Sequence, residues 1–554
     1  MSHPSSPHQT AQTLAAFAQQ AVLSAEAICP LPLIRSLVDD YFTYIHPVVP
    51  VPHKQSFMHA LDQREDVHNA TFLALLASML GCLLASFPRR PRQHFRHYRL
   101  ESQFPTPMNF ISRCQQITLQ ALGTGHLLRQ LSIHDAIISY LQGLTAVYTY
   151  DRHSTLIYFK QCLSIMSTIG VHKAKKFSSR PAGAPPARMV PNGHVLEGPQ
   201  PGEVVDCIDQ ELRKRTFWLM FVSVRSIRMV GVSDWELLIP PATKPQPYPP
   251  LPLEVDDEYL TPDHILPQPL ETISELTGFN ANVQVYTVLN DTATYELIYG
   301  TDQLFDWDLQ KRSLEKALHD VKRVCEGLPP ELSLNLKAPQ PQPDNQEYPS
   351  PARGLAGPQE MNYYASNGSG QRPMNYGRAH DEMRIQYEIQ KANIHVSHLA
   401  TRMYLVEKYW TYVDARNHPD PNTTTPSPNI IPPSLDQSNA PSMTEQDFTT
   451  EREEIVQSTL HFLNSVSQLN MEPNGKSLIG KLRQISGTLL DKPRTHTGDL
   501  GAIAEADLQT FVGFMARLEG GGGVEEDEEG MLRGWADMKK YQVRFHESGG
   551  FSPP

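Results

Sequence analysis

The most restrictive feature of this sequence is a run of six consecutive apolar residues, 217–222, that follows the charged segment E-L-R-K-R-T beginning at Glu211. A helix with such a run carries apolar side chains all round, so its middle has to be buried. The adjacent prolines Pro240 and Pro241 cannot continue a helix and therefore bound the segment. Any fold of this chain needs other elements that surround this one helix.

Apolar residues recur at helical spacing in almost every other segment, and we find no β-hairpin signal and no alternation of strands with helices. We therefore predict an all-α fold, a large multi-helix domain with long proline-rich loops and disordered insertions. The predicted organisation is an N-terminal segment that is partly helical or disordered (1–30), a first helical part (31–335), a disordered linker (338–378), a helical continuation (381–518) and a flexible acidic tail (519–554).

Charge and hydropathy exclude several classes of protein. The formal net charge of -12 argues against a chain that coats nucleic acid with its whole surface. The N-terminus lacks the basic start and the apolar run of a secretory signal. Residues 70–88 are the least charged window, but a membrane span needs about 20 strongly apolar residues. We therefore predict a buried helix there and no association with a membrane.

Six cysteines are scattered along the chain, and the closest pair, Cys82 and Cys114, lies 32 residues apart. Zinc sites use cysteines in closely spaced pairs, because four ligands have to converge on one ion. We therefore predict no metal, no cofactor and no zinc cluster, with reduced, buried thiols instead. His395 and His398 lie three residues apart but lack a third ligand at a recognisable spacing, which favours solvated or hydrogen-bonded histidines.

The enzyme motifs that we find are incomplete. The G-K-S sequence at 475–477 lacks the earlier glycine of a phosphate loop, where the chain has Asn470, so we predict a turn. The G-S-G sequence at 368–370 lies in low-complexity sequence and not at a strand-to-helix elbow. We therefore expect that the protein is not an enzyme and that it has no catalytic residues.

The segment that begins at Glu211 resembles a family signature. In the fungal-specific transcription factor regulatory domain, often called the middle homology region, an acidic residue and two or three basic residues precede a Trp-centred apolar helix. The matching residues are Glu211, Arg213, Lys214, Arg215 and Trp218. The family continues with an Asp-Arg pair, where this chain has Val224 and Arg225, and with Gly-Arg-Pro, where it has Gly-Val-Ser at 231–233.

Three further segments are similar to the same family and follow in the same order. They are the helical pattern that runs into H-P-V-V-P-V-P at 46–52, the G-V-H-K sequence at 170–173 and the L-P-x-x-L pattern at 328–332. The first pattern describes a helix, an extended turn fixed by prolines and a second helix with Phe57 facing inward.

The resemblance implies an all-α regulatory domain of a nuclear transcription regulator that acts on carbon-utilisation or secondary-metabolism genes. It implies contacts with the transcription machinery or a DNA-binding partner protein, and it leaves a small-molecule effector open. The family's domain usually follows a zinc binuclear cluster. We therefore expect a relative without the cluster or a gene product that lacks its first exon. The alternative is a helical ligand-binding or scaffold protein without a transcriptional role.

Two charged segments are candidates for binding. The first contains five arginines and is a candidate for nucleic-acid contact or nuclear import, although a solvated, partly helical surface is favoured: Arg89, Arg90, Arg92, Arg96 and Arg99. Direct DNA binding by this chain alone is therefore expected to be weak at most. The acidic run at 525–529 allows recruitment of a partner, but such runs are usually only solvated.

A regular apolar seam lies in the helix predicted after the linker. Its members step by four and three residues over three heptads: Ile385, Ile389, Ala392, Val396, Leu399, Met403 and Val406. Such a seam leaves a homodimer open. Packing inside the same domain is favoured, because the same spacing describes any core helix.

Overall fold

The computed structural model describes residues 23–171, 206–229, 237–269, 272–334, 376–418 and 442–490, with residues 510, 511, 513–515 and 518. This part of the chain is 73% helical and contains no sheet, so the predicted all-α class is confirmed. One isolated antiparallel bridge joins Leu260 and Ile265. The G-V-S sequence at 231–233, most of the predicted linker and the acidic tail lie outside the described residues.

The first seven helices form a bundle around α3, which is buried along nearly its whole length. The helix α3 packs against α5 and α6, and α6 packs against α7. Their bounds are α1 Leu31–Asp40, continued by a π-helical turn Tyr41–Ile45, α2 Lys54–Asp62, α3 Ala70–Ser86, α4 Arg89–His97, α5 Pro107–Leu122, α6 Ile133–Tyr148 and α7 Arg152–Thr168.

The later helices pack around α12, which has 42 residues. The helices α9, α11, α13 and α15 all contact it. Their bounds are α8 Cys207–Met229, α9 Glu275–Thr287, α10 Asn290–Tyr299, α11 Trp307–Glu326, α12 Tyr376–Asn417, α13 Glu445–Ser465, α14 Gln468–Met471 and α15 Gly475–Leu490. The helix α12 begins inside the predicted linker.

One hydrophobic core joins the two predicted helical parts, since its members run from Ala25 to Met515. Six of the seven seam residues of α12 are fully buried inside it, and Ile385 is packed against it. The preferred prediction of internal packing is therefore confirmed. This seam of the described structure is not available to a second copy of the chain.

Side-chain caps fix several helix starts, because the first N–H groups of a helix have no partner inside it. Asn69 accepts the N–H of Phe72 at the start of α3. Thr444 and Asp447 form a reciprocal capping box at α13. Gly475 has a φ of 59° and separates the short turn Glu472–Asn474 from α15, but Lys476 and Ser477 lie in the first turn of α15, so the turn expected at 475–477 is wrong for these two residues.

Within the described residues, no single helix has both the length and the hydropathy that a membrane span requires. The pair α3 and α4 reaches that threshold only jointly, and the two helices are bent by 111°. As predicted, the apolar residues of α3 are core residues.

All six cysteines are free thiols. Four of them are buried, and Cys207 and Cys325 are half-buried. The expectation of reduced cysteines that behave as small apolar residues is therefore confirmed, with full burial for four of them.

Two helical glycines test the packing of the bundle. A Cβ atom on Gly143 of α6 would lie 2.3 Å from the Phe159 ring of α7, whereas a Cβ atom on Gly480 of α15 has no neighbour within 4 Å. We expect Gly143→Ala to lower the free energy of unfolding by about 1–3 kcal/mol, because the overpacked ring has to move. Gly480→Ala should raise it by up to about 1 kcal/mol through helix propensity.

Urea unfolding of both variants measures these differences. Equal stabilities of Gly143→Ala and Gly480→Ala would contradict the close approach of α6 and α7.

Candidate functional site

The candidate site is the start of α8, where the signature residues lie. Glu211 is buried, pairs with the Lys214 ammonium at 2.5 Å and accepts the N–H of Leu253 at 2.9 Å. Arg213 pairs with Asp209 at 2.5 Å and donates to the carbonyl of Ile169, just beyond the end of α7. These basic residues therefore make ion pairs at a buried helix start.

Arg215 is the most deeply buried charged residue of α8, with 1% of its surface exposed. Its Nη1 atom donates to Asp257 Oδ1 at 2.6 Å and to the carbonyl of Pro50 at 3.3 Å. Pro50 belongs to the proline turn at 46–52. The signature helix and the first resembling segment, about 160 residues apart in sequence, therefore meet at this side chain.

The carboxylate of Asp257 is the centre of this contact. Its Oδ2 atom accepts the N–H of Lys54 at 2.7 Å, at the first residue of α2. It lies 3.6 Å from His46 Nε2, and the backbone carbonyl of Asp257 lies 2.9 Å from His53 Nε2. We call these four side chains the Asp257 cluster: Asp257, Arg215, His46 and His53.

Electrostatics keep the Asp257 carboxyl ionised although it is buried. Burial by itself would raise its pKa, but Arg215 and the two histidines, together with the N–H of Lys54, lower that pKa to about 2. Burial lowers the pKa of His53, which Asp257 only partly offsets. The cluster is thus an internal charge pair that positions the backbone of three segments.

Trp218 lies two helical turns after Glu211 and is buried, as the apolar run requires. Its indole N–H donates to the carbonyl of Pro250 at 3.2 Å. Its ring packs edge-on against Phe217, Phe221 and Tyr248. The proline-rich segment after α8 therefore covers the aromatic side of this helix.

Arg225 is buried near the end of α8 at the position where the resemblance lacks its aspartate. Its guanidinium lies 3.3 Å from the amide oxygen of Asn290 and 5.1 Å from the ring centre of Phe221. Burial lowers the pKa of this guanidinium. Among the described side chains we find no carboxylate paired with it, so it is held by an amide oxygen and aromatic rings.

The arginine segment is divided between the interior and the surface. Arg90 is buried and lies 3.4 Å from the Asp40 carboxylate, which His94 also contacts. Arg89 pairs with Glu472, and Arg96 pairs with the exposed Glu101. The expectation of a solvated, partly helical surface therefore fails for Arg90, because its charge neutralises Asp40 between α1 and α4.

His395 and His398 lie on the buried side of α12 and are not exposed to solvent. His395 Nε2 bonds to the carbonyl of Leu332 at 2.9 Å, and His398 Nε2 has no hydrogen-bond partner in the described part of the chain. Burial lowers the pKa of His395 to about 4 and that of His398 well below its ordinary value. A search of the described residues finds no group of three metal-binding side chains.

A second buried charge cluster was not predicted. Glu296 of α10 contacts Lys408 at 2.5 Å, Arg228 at 3.0 Å and the hydroxyl of Tyr404 at 2.9 Å. Burial would lower the pKa of Lys408, but Tyr404, Glu296 and Asp302 raise it above its ordinary value. No local sequence signal marks this cluster, because its members come from α8, α10 and α12.

A cavity of about 60 Å³ lies between the starts of α4 and α15. Its lining includes Ser86, Arg89, Glu472, Lys476 and Leu518. Pockets for metabolites and drugs usually enclose about 300–1,000 Å³. This cavity is therefore too small for an effector of metabolite size.

No protein-family model matches the chain, and no curated protein and no solved structure matches it either. The resemblance to the fungal-specific regulatory domain therefore stays a prediction from its motifs. The geometry adds that two of those motifs contact each other.

Removal of the Arg215 charge tests the Asp257 cluster. We expect Arg215→Met to lower the free energy of unfolding by about 3–5 kcal/mol at neutral pH, because a buried carboxylate loses its partner. Arg213→Met, a matched change at a partly exposed ion pair, should cost no more than about 1 kcal/mol. Chemical unfolding measures the free energy of unfolding of both variants. Equal losses of stability in the two variants would contradict the burial of the ion pair between Arg215 and Asp257.

The same pair predicts a pH dependence. The folded pKa of Asp257 is depressed, so its stabilising effect is present above the unfolded value of about 3.9 and disappears as the pH falls through about 2. The stability difference between the wild type and Arg215→Met should therefore narrow between these pH values. A constant difference in unfolding experiments would show that Asp257 is not the partner.

The lowered pKa of His395 predicts that the protein loses stability in mild acid. Its folded pKa of about 4 lies below the unfolded value of about 6.5, so the unfolded chain binds more protons between them and stability falls as the pH falls. One such histidine accounts for up to about 3 kcal/mol. We expect His395→Gln, which keeps a donor for Leu332, to flatten this pH profile, whereas the exposed His319→Gln should leave it unchanged.

Proposed function

We propose that this chain is a nuclear transcription regulator that acts through its helical domain on carbon-utilisation or secondary-metabolism genes. It works through contacts with the transcription machinery or with a DNA-binding partner protein. The motif resemblance supports this role, and no metal-bound DNA-reading cluster is encoded in the sequence.

One observation carries the proposal. The motifs that carry the resemblance lie in distant segments of the chain. Two of these segments are joined by the hydrogen bond from Arg215 to the carbonyl of Pro50, and Asp257 bonds to both Arg215 and the N–H of Lys54. Residues placed only by chance along a chain have no reason to converge on one buried carboxylate. The contact supports treating these segments as one structural unit of a regulatory domain.

Protein contacts are favoured over a metabolite as the means of regulation. The cavity between α4 and α15 is far below the size of metabolite pockets. The buried charge clusters at Asp257 and Glu296 are already neutralised by side chains of the chain itself. They therefore leave no unpaired charge for a small ligand to neutralise.

A tethered-reporter assay tests the proposal. The full chain is fused to an unrelated sequence-specific DNA-binding domain, and reporter transcription is compared with that of the DNA-binding domain alone at equal protein level. We expect a several-fold change in transcription and a nuclear location of the untethered chain. An unchanged reporter would favour a helical scaffold without a transcriptional role, and exclusion from nuclei would count against the proposal.

Direct DNA binding gives a separate prediction. We expect weak binding without sequence preference, because the exposed arginines of the α4 region are the candidate phosphate contacts in the described part of the chain. The logarithm of the binding constant should fall by about 0.9 per contacted phosphate for each tenfold rise in salt. Fluorescence anisotropy with two unrelated duplexes at several salt concentrations measures this, and tight binding to one of them alone would contradict it.

A further inference from the structure

The helix α4 presents a stripe of arginines on its outward side. Arg89, Arg92 and Arg96 are spaced by three and four residues, which places them on one side of a helix, and Arg99 follows just after the helix end. The opposite side, with Arg90, Pro91 and Phe95, is buried. We call the outward set the arginine stripe: Arg89, Arg92, Arg96 and Arg99.

The stripe carries more positive charge than its described surroundings neutralise. Arg89 pairs with Glu472, and Arg96 pairs with Glu101, but both partners of the second pair are more than 60% exposed. Such an exposed pair contributes little and exchanges readily. Within the described part of the chain, Arg92 and Arg99 have no carboxylate partner in an ion pair.

The pKa of Arg92 shows the effect of burial and of the neighbouring positive charge. Partial burial and the neighbouring charge of Arg96 lower the pKa of its guanidinium. Positive charges that lie this close together repel each other, and a bound anion reduces that repulsion.

An anionic segment of the same chain lies within reach. Leu518 lines the same cavity as Arg89, so the chain leaves the described body beside the start of α4. The five acidic residues 525–529 begin seven residues later, after a stretch of glycines at 520–523. Seven residues span at most about 25 Å, whereas α4, with nine residues, is only about 13 Å long.

We propose that the acidic run at 525–529 docks on the arginine stripe of α4 in the same molecule. The stripe has four arginines, two of which already make ion pairs, and the acidic run has five carboxylates, so the two segments are complementary in the sign of their charge. A tether this short gives the acidic run an effective concentration in the millimolar range, so weak single contacts suffice.

The docked run occupies the surface that nucleic acid would use. The carboxylates take the place of phosphates at Arg92, Arg96 and Arg99, and the interaction weakens as salt screens it. The proposal thus assigns one role to the two charged segments, as partners of each other, and it does not depend on the proposed transcriptional function.

Arginine footprinting of the full chain tests the docking. Phenylglyoxal modification rates of individual arginines are read by mass spectrometry in the wild type and in a variant with a neutralised acidic run. The variant carries Glu525→Gln, Glu526→Gln, Asp527→Asn, Glu528→Gln and Glu529→Gln. At low salt we expect Arg92, Arg96 and Arg99 to react roughly fivefold faster in the variant, the factor given by about 1 kcal/mol of docking free energy.

Arg312 and Arg323, which are exposed on α11, serve as internal controls and should react equally in both proteins. High salt should raise the wild-type rates at the stripe to those of the variant. Equal rates at the stripe in wild type and variant at low salt would overturn the proposal. So would protection that appears only after duplex DNA is added, because the stripe would then be a nucleic-acid surface.

A reciprocal experiment follows the tail. A glutamate-specific protease should cut the acidic run roughly fivefold faster after Arg92→Gln, Arg96→Gln and Arg99→Gln. The matched control is Arg312→Gln, Lys316→Gln and Arg323→Gln, which removes the same charge from α11. Thermal melting confirms that both variants are folded, and equal cleavage of the two variants would overturn the docking.

Discussion

The buried ion pair between Arg215 and Asp257 connects parts of the chain that no local interaction would hold together. Arg215 comes from α8, Asp257 from the proline-rich segment after it, and both bond to the region of residues 50–54. Burial of either charge without its partner would destabilise the folded state. The two segments therefore have to be in contact in the folded protein. The proline turn at 46–52 is contacted by α12 as well, since Gln390 donates to the carbonyl of Pro47.

Around this contact the chain forms two helical groups with a common core. The first surrounds α3, and the second surrounds α12. The helix α8 lies between them, because it contacts both α6 and α9. Five of the six residues of its apolar run are buried for this reason, and Tyr248, from the segment that follows, covers Trp218.

The charged residues divide into an internal and an external set. Inside, Asp257, Glu296 and Asp40 are each matched by an arginine or lysine from a distant helix. Outside, the stripe on α4 has fewer acidic partners than cations, and the acidic run of the tail supplies the opposite charge.

The sequence by itself determined the class of fold and most helices, because helical spacing of apolar residues is a local property that packing rarely reverses. It also determined that residues 217–221 and six of the seven seam residues of α12 are buried, since burial removes apolar side chains from water. It did not reveal that Arg90 lies inside while Arg96 lies outside, or that the partner of Arg215 is Asp257. Those choices depend on which distant segments approach each other, and a single sequence holds no local signal for a contact made across the core.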